Sequence, residues 1–179
     1  MLLKHLTYLN SLISLVLFFT ATFASADDAA RLAELDRFWN AVSQSVKDGD
    51  FDGYKATCHP EGVLVTEKLK TSQPLAKALE RWKPGFDDTK AGRAKASVEF
   101  RFSQRLGDGT TAHETGIFLY SFTDAQGQSK KEYVRFEALL VKRDGWKTLM
   151  EYQKSPATAE EWAALKPAAA SPATPPRGN

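Results

Sequence analysis

A single cysteine, Cys58, is all the thiol chemistry this chain carries. A disulfide within the chain is thereby excluded, and the core must hold the fold unaided. The expectation for Cys58 is a buried, inert thiol, against the rarer intermolecular bridge or reactive nucleophile. Histidine is nearly as scarce: beyond the first 26 residues only His59 and His113 remain. His113 and Glu114 are neighbours in an extended pattern and point to opposite faces, so they cannot share one metal ion. No metal centre is expected. Nor is a cofactor, because the chain has no phosphate-cradling glycine loop, no G-x-S-x-G elbow and no supported Cys–His dyad. The formal net charge is only +2 and forms no basic stripe, which argues against nucleic acid as a partner. Long apolar runs are missing too. Leu12 to Phe19 falls well short of the roughly 20 residues that span a bilayer.

That short run has a better reading. Lys4 precedes it and the small residues Ala24-Ser25-Ala26 follow it, which is the three-part pattern of a secretory signal peptide cleaved before Asp27. The chain is expected to be exported, periplasmic or secreted, with no stable membrane insertion after cleavage. Residues 27–165 are expected to form one domain. The 42% hydrophobic content is enough for a core. Residues 166–179 read KPAAASPATPPRGN, an Ala/Pro-rich stretch without an aromatic residue, and are expected to be a disordered tail.

Within the domain the helical signals come first. Leu32, Leu35, Phe38, Trp39, Val42 and Val46 recur three and four apart, so one face of a long helix is apolar up to Gly49. Asp50 is placed to cap a short second helix that His59-Pro60-Glu61-Gly62 closes, and Val63 to Thr66 reads as a short strand. Thr71 to Pro74 starts a third helix carrying Leu75, Leu79 and Trp82, with Pro84-Gly85 as its stop. The period then changes to two. Ala96, Val98, Phe100 and Phe102 alternate with polar residues, and turns at Gly107-Asp108-Gly109, Asp124 to Gly127 and Asp144-Gly145 separate four long strands. Thr158 can cap a last short helix that Trp162 and Leu165 dock on the body. Helices followed by an antiparallel meander make an α+β fold: a strongly bent antiparallel sheet wrapped around the long N-terminal helix, cone-shaped and open at one mouth.

Three segments carry a family resemblance: GDFDGY (Gly49 to Tyr54), HPEGVLV (His59 to Val65) and YVRFEALLVKRDGWKTLMEYQ (Tyr133 to Gln153). Together they resemble the nuclear transport factor 2-like superfamily, in particular its SnoaL-like and ketosteroid-isomerase-like bacterial branch. The fold implied is the same cone, which hosts enzymes, ligand binders and assembly modules alike. The isomerase-type members use a tyrosine donor, an aspartate base and a protonated acid. The matching positions here are Val42, Thr66 (with Glu67 beside it) and Glu137. Only the last retains the required chemistry, which argues against steroid-type isomerisation.

The resemblance also places Arg135 and Glu137 inside the cone, as a close pair that would keep Glu137 ionised and orient a polar ligand. The plainer alternative is a structural ion pair along one strand face. Glu137 is the one weak catalytic candidate. His59, Trp39 and Tyr54 complete the expected pocket, although the plainer reading of His59 is a cap on helix carbonyls and that of the aromatics is the core. Aromatic walls with few polar groups suggest an apolar or amphipathic small molecule. The strand from Tyr133 to Lys142 is largely apolar on both faces, which predicts a homodimer through the sheet. Two function classes follow: a non-catalytic module that binds a small molecule or dimerises, and a SnoaL-like enzyme doing proton transfer or cyclisation on a small carbonyl compound.

Overall fold

The apolar stripe of the first helix decides the architecture, because it needs a concave surface to bury it. The computed structural model describes residues 26–168, so the expected signal peptide and nearly all of the expected tail lie outside the described residues. Helix α1 (Ala26–Asp48) buries Leu35, Phe38, Trp39, Val42 and Val46. It stops at Gly49, whose φ of +65° and whose missing Cβ are both required. A Cβ there would lie 2.4 Å from the backbone nitrogen of Lys90. Asp50 caps α2 (Phe51–Ala56) as expected, accepting from the Gly53 amide at 2.9 Å.

Two expectations for the next segment are corrected. His59 to Gly62 does not close α2. It belongs to an irregular start of strand β1 (Cys58–Thr66), whose register slips between Cys58 and Val63. Thr71 to Pro74 is strand β2, paired antiparallel with β1, and helix α3 (Leu75–Lys90) begins only after it. Nor does α3 stop at Pro84-Gly85. Phe86, just beyond, is buried against Phe51 and Tyr54, with ring centroids 5.7 and 5.1 Å away. Thr89 Oγ1 also donates to the Gly85 carbonyl at 2.9 Å. That packing outweighs the hydrogen bond a mid-helix proline forfeits.

The alternating segments become β3 (Lys95–Gly107), β4 (Thr111–Thr123), β5 (Ser129–Arg143) and β6 (Gly145–Pro156). Helix α4 (Ala159–Ala164) follows, with a complete capping box on Thr158 and Glu161. Trp162 buries itself on Ile117, Leu119 and Tyr133. Lys166–Pro167 then pairs with β3 as β7, so ordered structure runs past Leu165. The sheet order is β2-β1-β6-β5-β4-β3-β7, with only β1 and β6 parallel. Register slips at Phe102/Gln104, Val134/Phe136 and Leu139/Leu140 increase its twist. Gly116 permits the close approach of β3 beside the first slip, since a Cβ there would fall 2.0 Å from the Arg101 carbonyl oxygen. The result is a curled, unclosed sheet around α1, the α+β cone expected. Among the described residues no helix is long and apolar enough to cross a membrane.

Charged groups bolt α1 to both halves of the sheet. Glu114 is completely buried and accepts from Trp39 Nε1 and, at 2.5 Å, from Arg105 Nε. Arg105 reaches on to Asp36 of α1 at 2.5 Å. On the other flank Glu34 accepts from Lys142 Nζ at 2.5 Å and from Trp146 Nε1 at 3.0 Å. Those two bonds hold the Glu34 carboxyl below its ordinary pKa.

Candidate functional site

The cone encloses a large concavity, a cavity of about 430 Å³. Its walls follow from strand alternation: Val98 and Phe100 of β3, Phe118 and Tyr120 of β4 and Val134 of β5 all share the concave face. Tyr54 from α2 and Trp82 and Phe86 from α3 close the other side. These three rings form a corner, with Tyr54 5.1 Å from Phe86 and 6.1 Å from Trp82, the latter edge-on at 84°. Arg81, exposed at the rim, is turned aside onto Gln73 Oε1 at 2.9 Å. Glu132 stands at the rim too and pairs outward with Lys130 at 2.6 Å.

The polar centre of the cavity is Glu151. Its Oε1 accepts from Gln153 Nε2 at 2.7 Å, while Oε2 accepts no hydrogen bond among the described residues. Desolvation pushes its carboxyl above the ordinary glutamate value, opposed only by the Gln153 bond. Tyr54 is raised well above the ordinary phenol value, first by burial and then by the neighbouring Glu151 and Cys58. Tyr120 is raised by burial and by Glu132. A carboxyl, two phenols and aromatic walls can bind an amphipathic molecule and orient it by one polar end.

The expected pocket residues divide. Tyr54 lines the cavity. Trp39 does not: it lies behind the wall, with its ring 4.4 Å from Phe100 and its indole nitrogen committed to Glu114. His59 sits at the irregular start of β1, where its Nδ1 accepts from the Glu61 amide at 3.1 Å. It caps a turn of the strand rather than a helix.

Arg135 and Glu137 are on the wrong face for a pocket and do not pair with each other. Phe136, Ala138 and Leu140 of the same strand are buried inside, so strand alternation sends their odd-numbered neighbours to the convex face. Arg135 there donates to Ser155 Oγ, to the Pro156 carbonyl and to Glu161 of α4. Glu137 accepts from Lys154 at 2.6 Å and faces His113 Nε2 at 3.4 Å, and both partners hold its pKa below the ordinary value. Val42 and Thr66 are buried, so neither supplies the missing donor or base. Cys58 is half-buried beside the Tyr54 carbonyl, and desolvation pushes its thiol up to about 12.

Sequence reasoning missed Glu151 and Gln153. The period-two rule carries Trp146 and Thr148 inside and would continue with Met150 and Tyr152. The slip opposite Leu139/Leu140 reverses the alternation and turns Glu151 and Gln153 inward instead. Among the described residues no group of three or more His, Cys, Asp or Glu side chains could hold a metal ion.

Comparison with known proteins agrees with this architecture. No curated protein matches the sequence. Solved structures do. A protein from Xanthomonas campestris assigned to the calcium/calmodulin dependent protein kinase II association domain superposes with a TM-score of 0.52 at 19% identity, over 74% of this chain and 89% of that one. A nuclear transport factor 2-like superfamily protein from Salmonella enterica gives 0.53 at 15% identity, over 73% and 95%. Aln2 from a Streptomyces species gives 0.57 at 16% identity, over 70% and 90%. Identities this low speak for the fold alone. A family model for the same association domain matches residues 31–158, which takes in most of α1 and strands β1 to β6. The chain therefore belongs to the calcium/calmodulin dependent protein kinase II association domain family, within the nuclear transport factor 2-like superfamily.

Proposed function

We propose that this domain is an exported binding module that holds a small apolar or amphipathic molecule in the cone and pairs with a second copy through its convex face. The observation that carries the reading is the cavity itself. Its aromatic walls surround a single inward carboxyl, Glu151, with one oxygen left unbonded among the described residues. Native proteins seldom keep an underused buried polar group without a role. Pairing of copies draws support from the half-buried Val63, Val65, Leu139, Val141 and Met150, which lie on adjacent strands of the convex face, and from a family named for association.

Calorimetric titration with 4-phenylbutan-1-ol, a neutral amphipath, tests the binding reading. The wild type should take up one molecule per chain, and Val134→Trp, which fills the cavity, should abolish uptake without unfolding the protein. Equal uptake by both would place the binding elsewhere.

A second reading, proton transfer on a small carbonyl compound, has one observation in its favour. Glu151 and Tyr54 bring a carboxyl with a raised pKa and a phenol to the same cavity, the two kinds of group missing at Thr66 and Val42. Exchange of the α-protons of a phenyl-substituted ketone into deuterated water, lost in Glu151→Gln, would establish it. No exchange above the buffer rate would end it.

A further inference from the structure

Resting on the binding reading, we propose that the cavity selects an organic cation: an amine or ammonium head seated between Glu151 and the Tyr54–Trp82–Phe86 corner, with its apolar body along the wall of β3 to β5. The geometry argues for charge of this sign. Among the described residues Glu151 is the acid of the cavity wall that no lysine, arginine or histidine pairs with. Gln153 satisfies one carboxylate oxygen and leaves the other for a donor. The guanidinium at the cavity rim, Arg81, is exposed and donates to Gln73 rather than to Glu151. Glu132, the other lining acid, is already paired with Lys130 at 2.6 Å, which leaves Glu151 as the acid without a cationic partner among the described residues.

Tyr54, with Phe86 at 5.1 Å and Trp82 at 6.1 Å, lines the same cavity as that carboxylate, and these rings supply the other half of a cation site. Aromatic faces attract ammonium groups through their quadrupole, and most strongly where water is excluded. A carboxylic acid ligand meets the like charge of Glu151 inside the cavity and, among the described residues, finds a lining cation only at the rim, in Arg81. A neutral alcohol can donate one hydrogen bond to Glu151 but gains nothing from its charge. The ranking amine, then alcohol, then carboxylate therefore follows from the residues that line the cavity. It also follows that binding depends on pH. The other titratable or charged groups about the cavity are Tyr54 from α2, Cys58 from β1, Arg81 from α3, Tyr120 from β4 and Glu132 from β5. The thiol and both phenols are raised and neutral below pH 8, which leaves the two carboxyls, and the dependence assigned to Glu151 must survive Glu132→Gln. An amine needs Glu151 ionised, and its binding must strengthen as pH rises through the raised glutamate pKa.

One scaffold with three heads decides the matter: 4-phenylbutylamine, 4-phenylbutan-1-ol and 4-phenylbutanoate, titrated calorimetrically into the full chain. The amine should bind at least about tenfold tighter than the alcohol, the worth of one charge-assisted contact, with the carboxylate weakest. Glu151→Gln should erase the advantage of the amine and leave alcohol binding in place, and circular dichroism should show the fold unchanged. Should that variant fail to fold, the wild-type affinity for the amine, measured from pH 4.5 to 8, serves instead: it must rise with pH while the alcohol stays flat. Alcohol binding as tight as amine binding, or an amine affinity flat in pH, overturns the cation inference and leaves the cavity as a binding site. Failure of all three probes to bind overturns the cavity reading as well.

Discussion

Glu151 and Glu114 are both carboxyls inside one small domain, and their partners give them opposite duties. Glu114 has a guanidinium and an indole committed to it and ties α1 to the sheet. Removing it leaves the Trp39 indole unpaired and Arg105 with Asp36 alone, so Glu114→Ala should cost about 3–5 kcal/mol in chemical denaturation. Glu151 has an amide and nothing charged, which costs stability rather than adding to it. Its pKa is raised in the folded protein, so the unfolded chain gives up its proton first as pH rises. Between the ordinary glutamate pKa and the raised one the unfolded state binds fewer protons, and stability falls across that window. Glu151→Gln should therefore melt at the same temperature as the wild type near pH 4 and higher near pH 7, as differential scanning calorimetry would record. A lower melting temperature at pH 7 would mean that the ionised carboxylate is stabilised by something the cavity does not show. Cys58, with its thiol pushed up to about 12, should react with iodoacetamide at pH 8 far more slowly in the native protein than in urea.

At the scale of elements, much was legible from period and capping alone. Leu35, Phe38, Trp39, Val42 and Val46 announced α1, Asp50 and Thr158 announced their caps, and Val98 to Phe102 announced β3. What could not be read was where the alternation reverses. A β-bulge leaves no residue signature of its own, yet one slip beside Leu139 decides that Glu151 faces the cavity and Met150 the outside. At Arg135 and Glu137 it was the resemblance that misled: both faces of β5 are apolar enough to be buried, so the strand's own pattern offers no check, and only the packing of Phe136 on Trp39 of α1 decides between them. Pro84 misled for a related reason: tertiary burial of Phe86 overrode a local stop signal. The C-terminal elements yield a measurable consequence. Thr158→Ala should destabilise α4 and its Trp162 anchor by about 1 kcal/mol. Truncation after Leu165 should lower the melting temperature more than truncation after Ala168, because Lys166–Pro167 adds a strand to β3 and Ala168 packs on the core.

For the whole molecule, the curled sheet separates two surfaces with different tasks. The convex face pairs its charges in place, Glu137 with Lys154 and Arg135 with Glu161, and leaves aliphatic side chains half-covered between them. A homodimer through that face is the expected assembly, and light scattering at high micromolar concentration should return twice the chain mass. Leu139→Arg, on the same face, should return the monomer. The concave face keeps its aromatic rings around a carboxyl that no cation among the described residues neutralises. That contrast carries the functional reading, and a crystal structure of the protein soaked with 4-phenylbutylamine tests it most directly. Density is expected inside the cone, the phenyl ring against Phe100 and Phe118 and the nitrogen within hydrogen-bond distance of Glu151 Oε2. Density only on the convex face, or a cavity left empty at saturating amine, would contradict it.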